Sequence, residues 1–217
     1  MMKKTFYAAF VFAALGLTAC GGAEEVETTE AEEVVEVTEE TYVLNAEETQ
    51  LKWVGSWIVP GEDGEMMEVK NHDGTVDVSE GQVTVMGDNI TGTFIVDMST
   101  INNADLADEP EEKAKLEGHL KADDFFNVEE YAKVGVMMNG LADGVADFTI
   151  NVMGTDINVS TPVELKEDGD KKMMHAEFAV DFSALQMPMT MGNPEKPEDG
   201  MVNPEISFHL HLVVDKQ

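Results

Sequence analysis

The chain has 217 residues, with 44 Asp or Glu, 13 Lys and no Arg, for a formal net charge of −31 at pH 7. That balance excludes nucleic acid as a partner, because phosphate backbones are bound by clustered Lys and Arg. The lack of arginine excludes bidentate capture of a phosphate or carboxylate, and the single cysteine, Cys20, excludes an internal disulfide.

At the N-terminus, Lys3 and Lys4 precede an apolar stretch of 12 residues, Phe6 to Leu17. This is too short to cross a bilayer, which needs ~20 apolar residues, and fits the hydrophobic region of a secretory signal peptide. The stretch closes on Leu17-Thr18-Ala19-Cys20-Gly21, which resembles the lipobox of bacterial lipoproteins. In those proteins the cysteine is lipidated and becomes the mature N-terminus. The expectation is a signal peptide over 1–19 and lipidation at Cys20. The exported chain would then be lipid-anchored to the bacterial cell envelope, at the outer membrane, on its periplasmic or surface face. Residues 21–41 carry nine glutamates and no lysine. Such a run cannot bury enough apolar area to offset its ordering entropy, and its like charges extend it. Residues 20–41 are therefore expected to be an acidic tether.

From Tyr42 to Gln217 there are 176 residues, enough for one domain with a sizeable core. The dominant hydrophobic period is two. Phe94, Val96 and Met98 share one face. So do Met174, Ala176, Phe178, Val180 and Phe182, and so do Ile206, Phe208, Leu210, Leu212 and Val214. Weaker alternation runs over 49–55, 75–78, 82–86, 133–138, 145–152 and 156–165. Such alternation predicts strands with one buried face. Turn residues separate them at Ser79-Glu80-Gly81, Gly87-Asp88-Asn89, Asp143-Gly144 and Glu167-Asp168-Gly169-Asp170. Residues 109–121 break the period: good helix formers occur there, with acids first and lysines later, as suits a helix dipole. The pattern gives eight or nine antiparallel strands with one helix in the middle connection, as a sandwich or barrel.

The segment LEGHLKADDFFNVEEY, residues 116–131, carries a resemblance to a known family. His119-Leu120, Asp124-Phe125-Phe126 and Tyr131 match, in order, motifs of the YceI-like proteins, a periplasmic, polyisoprenoid-binding, lipocalin-like family. Tyr42, Trp53 with His72-Asp73-Gly74, Thr149-Ile150 and Gly154 fit the same pattern. The chain departs from it at Asn127, where Asp is usual, at Ala132, where Pro is frequent, and in lacking an arginine near Phe182. The resemblance implies an all-β fold, an antiparallel eight-stranded lipocalin-like barrel with one short helix in a connection. It also implies an elongated apolar cavity holding an isoprenoid or quinone-like lipid.

On that reading the cavity is lined by Trp53, Phe94, Val96, Phe125, Phe126, Phe148, Ile150, Phe178, Val180, Phe182, Phe208 and Leu210. His72, His119 and Tyr131 would meet a head group. No catalytic motif of the G-x-S-x-G, H-E-x-x-H, P-loop or dinucleotide type occurs, so the chain is expected to bind rather than catalyse, with no cofactor beyond the lipid. Two alternatives remain at this level. Met187, Met189 and Met191 offer soft thioethers that select Cu(I), which would make a copper-binding lipoprotein. A barrel filled by its own side chains would instead be a structural or stress-response protein of the envelope.

Overall fold

The computed structural model describes residues 38–217. The signal peptide, Cys20 and all of the tether up to residue 37 lie outside the described residues.

The described chain forms ten strands: β1 (Glu39–Leu44), β2 (Gln50–Pro60), β3 (Met66–Met86), β4 (Asn89–Asn103), β5 (Lys133–Ala142), β6 (Val145–Val152), β7 (Thr155–Asp168), β8 (Lys171–Asp181), β9 (Met201–Val202) and β10 (Glu205–Lys216). Eight of them, β2 to β8 and β10, pair antiparallel in a ring that closes through β10 and β2. The ring is an up-and-down barrel, as expected. Strand β1 occupies the same slot as β2 further along the axis, bridging β10 and β3. Strand β9 adds to β2 beyond the ring. The helix α1 (Pro110–Lys121) lies in the β4–β5 connection, and α2 (Pro188–Met191) in the β8–β9 connection.

The period-two faces point as predicted. Phe94, Val96 and Met98 are buried inward on β4, as are Met174, Ala176 and Val180 on β8. Val213 breaks the rule: it lies on the outer face of β10 yet is fully buried. The β1–β2 turn folds over it, with Thr49 Oγ1 accepting its N–H at 3.0 Å.

Three expectations are corrected. Glu39 to Thr41 belong to β1, paired with Met86 to Thr84, and not to the tether expected over 20–41. Ser79-Glu80-Gly81 is no turn; it is a bulge inside β3, where the register against β4 slips between Val78 and Glu80. Turn-like composition served an extra residue in a strand, which lets a long strand bend around the barrel. The strand expected over 49–55 runs on to Pro60 and pairs with 66–76, so that β2 and β3 form a hairpin projecting beyond the ring.

The two ends of the barrel differ. At the end holding the β3–β4, β5–β6 and β7–β8 turns, Tyr42, Val83, Met138, Ala146 and Val214 are all buried together. That end is packed solid. The opposite end carries α1, α2, the Phe125-Phe126 segment and the β2–β3 hairpin.

Candidate functional site

Inside the barrel is one elongated cavity of about 640 Å³, walled almost wholly by carbon. All twelve residues expected on its wall line it: Trp53, Phe94, Val96, Phe125, Phe126, Phe148, Ile150, Phe178, Val180, Phe182, Phe208 and Leu210. Leu51, Val136, Ile150, Phe178, Phe208 and Leu210 all face inward, yet none is fully buried. Inward apolar side chains of a packed core would touch neighbours on every side. Here they border empty space, so the barrel is not filled by its own side chains.

The cap over this space is built by the chain that follows α1. Phe126 N–H donates to the Leu120 carbonyl, Asn127 N–H to Ala122 and Val128 N–H to Lys121, which winds the segment back on the helix end. Asn127 sits at φ 44, in the left-handed region that Asn tolerates better than most residues. The turn drives both phenylalanines inward, to 3% and 8% exposure. Burial of each ring is worth about 1.5–3 kcal/mol, which holds them inside a strongly acidic stretch. Phe125 meets Phe126 edge to face at 4.7 Å between ring centres, and Phe126 meets Phe182 at 5.8 Å. Phe182, Phe208 and Phe178 continue the aromatic wall down the barrel.

Trp53 forms the neighbouring wall. Its indole N–H donates to the Thr75 carbonyl at 3.2 Å, and its ring lies against Gly74, its partner across the β2–β3 ladder. A Cβ on Gly74 would stand 2.0 Å from the Asn102 carbonyl oxygen and 2.6 Å from the indole. Only glycine fits there.

The exposed wall residues are Val69 and Lys70 on the hairpin and His119 on α1, with Trp57 and His72 half-buried beside them. They mark the mouth. Leu116 and Leu120 of α1 face the cavity, and no residue of that helix is fully buried. Glu117 holds α1 to the barrel by accepting the Asn103 N–H at 2.9 Å.

His72 is fixed by its neighbours. Its Nδ1 lies 2.8 Å from Asp105 Oδ2, while Asp105 Oδ1 accepts the Asp73 N–H at 3.0 Å and the Asn103 amide at 2.5 Å. Asn103 itself is fully buried and accepts the Leu106 N–H. Burial raises the Asp105 carboxyl, but the His72 ring, the Asp73 N–H and the Asn103 amide outweigh it and leave it below the ordinary carboxylate range. A lowered folded-state value gives stability that is in force above ~4, the usual aspartate value, and is lost as pH falls through the lowered one. Urea unfolding at stepped acidic pH should therefore show a shallower acid loss for Asp105→Asn than for the wild type. An unchanged acid limb contradicts the assignment.

Tyr131 stands apart from the other expected head-group contacts. Its N–H donates to the Asn127 carbonyl, and the reversal leaves its hydroxyl beside Glu130, off the cavity wall. The three methionines of the copper alternative differ in their surroundings. Met187 is 2% exposed, Met189 lines the cavity and Met191 is 59% exposed. Among the described residues no group of three or more His, Cys, Asp or Glu side chains is placed to hold a metal. His211 and His175 stack on the outer face at 4.4 Å, and burial, then the His175 charge, lowers the His211 value. Trp57, Lys70 and Val136 were not read from the sequence as wall residues. Val136 was accessible through its alternation with Val134.

The YceI-like domain matches residues 42–214. The chain belongs to the YceI-like family. Among the solved structures similar to it are two with TM-scores above 0.5. Burkholderia cenocepacia BcnA is 16% identical, with a TM-score of 0.56 over 78% of this chain and 98% of its own. A polyisoprenoid binding domain from Saccharophagus degradans, implicated in plant cell wall breakdown, is 12% identical, with a TM-score of 0.54 over 81% of this chain and 98% of its own. No curated protein sequence matches the chain. The residues that line the cavity, from Leu51 to Leu212, all fall within the matched 42–214.

Proposed function

We propose that this protein binds an apolar lipid of the isoprenoid or quinone-like class in its barrel, to store or carry it at the cell envelope. The observation that carries the reading is the elongated, carbon-walled cavity of about 640 Å³ inside a YceI-like barrel. Small-ligand sites have volumes of ~300–1,000 Å³ and are lined chiefly by apolar and aromatic side chains. Each buried methylene contributes about 0.8 kcal/mol, so a few isoprene units suffice for tight binding. The polyisoprenoid-binding character of the Saccharophagus degradans domain supports the same reading. The wall is almost wholly carbon, which supports binding of an apolar molecule.

The lipoprotein part of the proposal rests on Phe6 to Leu17 and the Leu17-to-Gly21 lipobox resemblance. Lipidation at Cys20 would hold the barrel near the bilayer from which its ligand comes. One preparation tests both parts. Wild type and Cys20→Ala are isolated from their native envelopes, and each is extracted with organic solvent for mass spectrometry. The expected result is near-stoichiometric prenyl lipid from the wild type, and loss of Cys20→Ala from the membrane fraction. A wild-type extract without lipid contradicts the binding reading. Membrane retention of Cys20→Ala contradicts the anchor.

A further inference from the structure

His175 on β8 and His211 on β10 are direct partners across the ladder. Their chain neighbours Met174, Leu210 and Leu212 line the cavity, so the two rings stand on the reverse of its wall. Both are half-buried. The rings stack at 4.4 Å between centres, 27° between their planes, and the Nδ1 atoms meet across 3.3 Å. That contact is an N–H···N hydrogen bond, in which one ring supplies the proton and the other a lone pair. Nitrogens held at about 2.0–2.1 Å on one tetrahedral zinc ion stand about 3.3–3.4 Å apart. The two imidazoles are therefore already spaced as a pair of ligands. We propose that His175 and His211 form a binding site for a divalent transition-metal ion of the zinc or copper class, which takes the place of the proton shared between them. The site does not rest on the lipid reading.

Binding needs one change of tautomer. The ring that carried its proton on Nδ1 moves it to Nε2, which faces away, and both Nδ1 lone pairs then meet the ion. Glu164 on β7 is the partner of His175 across the next ladder. It is exposed and forms no ion pair among the described residues, so its carboxylate is free to complete the shell. Glu48 and Lys166 both lie near His211, with opposite sign. Glu48 is engaged by Lys171, which leaves Glu164 as the available acid. The third histidine of this face, His209, is two residues along β10 and turns to Glu177 at 3.3 Å. The net charge of −31 gathers cations around the whole chain, but it does not choose among them. The imidazoles do, because they suit zinc, copper and nickel, whereas carboxylates and water suit magnesium and calcium. Two imidazoles fall short of the four protein ligands of a closed zinc site, so water fills what Glu164 does not. An ion held by both rings ties β8 to β10 from outside the barrel. It binds only the folded arrangement and so stabilises it by mass action.

The test uses the full-length protein, stripped of metal by a chelator and titrated calorimetrically with Zn²⁺ in excess Mg²⁺. Magnesium occupies sites made of carboxylates alone and leaves imidazoles free. The expected result is one Zn²⁺ per chain, a raised thermal midpoint, and tighter binding of Cu²⁺ than of Zn²⁺, the order nitrogen ligands impose. His175→Gln and His211→Gln should each weaken Zn²⁺ binding by at least about tenfold. His209→Gln should bind as the wild type does, which separates the cross-strand pair from a chelate along β10 alone. Thermal unfolding of the metal-free variants checks that each is folded. The wild type with Cu²⁺ supplies a readout that needs no variant: its electron paramagnetic resonance should show splitting from two imidazole nitrogens. The site is overturned by a wild type without saturable Zn²⁺ binding, or by affinity that survives both substitutions. It is overturned equally by a loss in His209→Gln as large as in His211→Gln, or by a copper spectrum of oxygen ligands only. Each of these results leaves the lipid reading where it stands.

Discussion

Gly74→Ala is expected to destabilise the barrel by about 3 kcal/mol or more, at the upper end of what one overpacking substitution does. The added Cβ would lie 2.0 Å from a backbone oxygen, that of Asn102, and 2.6 Å from the Trp53 ring. Neither can yield easily. Asn102 is paired into the β3–β4 ladder, and the indole is tied to Thr75 while forming the cavity wall. Gly135→Ala on β5 is the control, because nothing lies within 4 Å of a Cβ there. Replacing that glycine restrains the unfolded chain and should be neutral or stabilising by up to ~1 kcal/mol. Urea unfolding followed by tryptophan fluorescence checks both. Equal midpoints for Gly74→Ala and the wild type would mean that the indole does not lie over β3.

Val136→Phe is expected to cost at least tenfold, and up to about a hundredfold, in lipid affinity with little loss of stability. Val136 faces Ile150 across the β5–β6 ladder, and both line the cavity without being fully buried. A phenyl ring there grows into open space and displaces a few methylenes of a tail, each worth about 0.8 kcal/mol. In a packed core the same change would cost roughly 1–3 kcal/mol in stability. Calorimetric titration with a prenyl lipid and thermal unfolding separate the outcomes. Unchanged affinity would take the ligand out of the barrel; a large stability loss would mean that the space near Val136 is already filled.

The barrel was legible where one face of a strand is buried and the other is wet. Val145–Val152, Met174–Phe182 and Ile206–Val214 alternate because inward residues meet the interior and outward ones, Val213 apart, meet water. The projecting part of the β2–β3 hairpin was not legible for the same physical reason. Met66, Met67 and Val69 there are 43–56% exposed, with solvent on both faces, so no alternation marks the strand. The Ser79-Glu80-Gly81 bulge uses turn residues for a bend within a strand, and local composition does not distinguish the two. The wall was legible from its inward faces, and Phe125 and Phe126 from the family resemblance. Lys70 was hidden because a strand lysine ordinarily only solvates an edge. Tyr131 was misplaced because the reversal at Asn127 carries it away from the mouth, and spacing along the chain does not register a change of direction.

The solid packing of Tyr42, Val83, Met138, Ala146 and Val214 leaves the tube with a floor. Its guest must back out through the doorway it used, so a newcomer cannot push the occupant through from behind. Exchange is then limited by departure of the resident molecule, and a chain too long for the tube must leave its surplus hanging outside. That is the behaviour of a quiver and not of a pipe, and it suits hand-over between surfaces better than continuous flow.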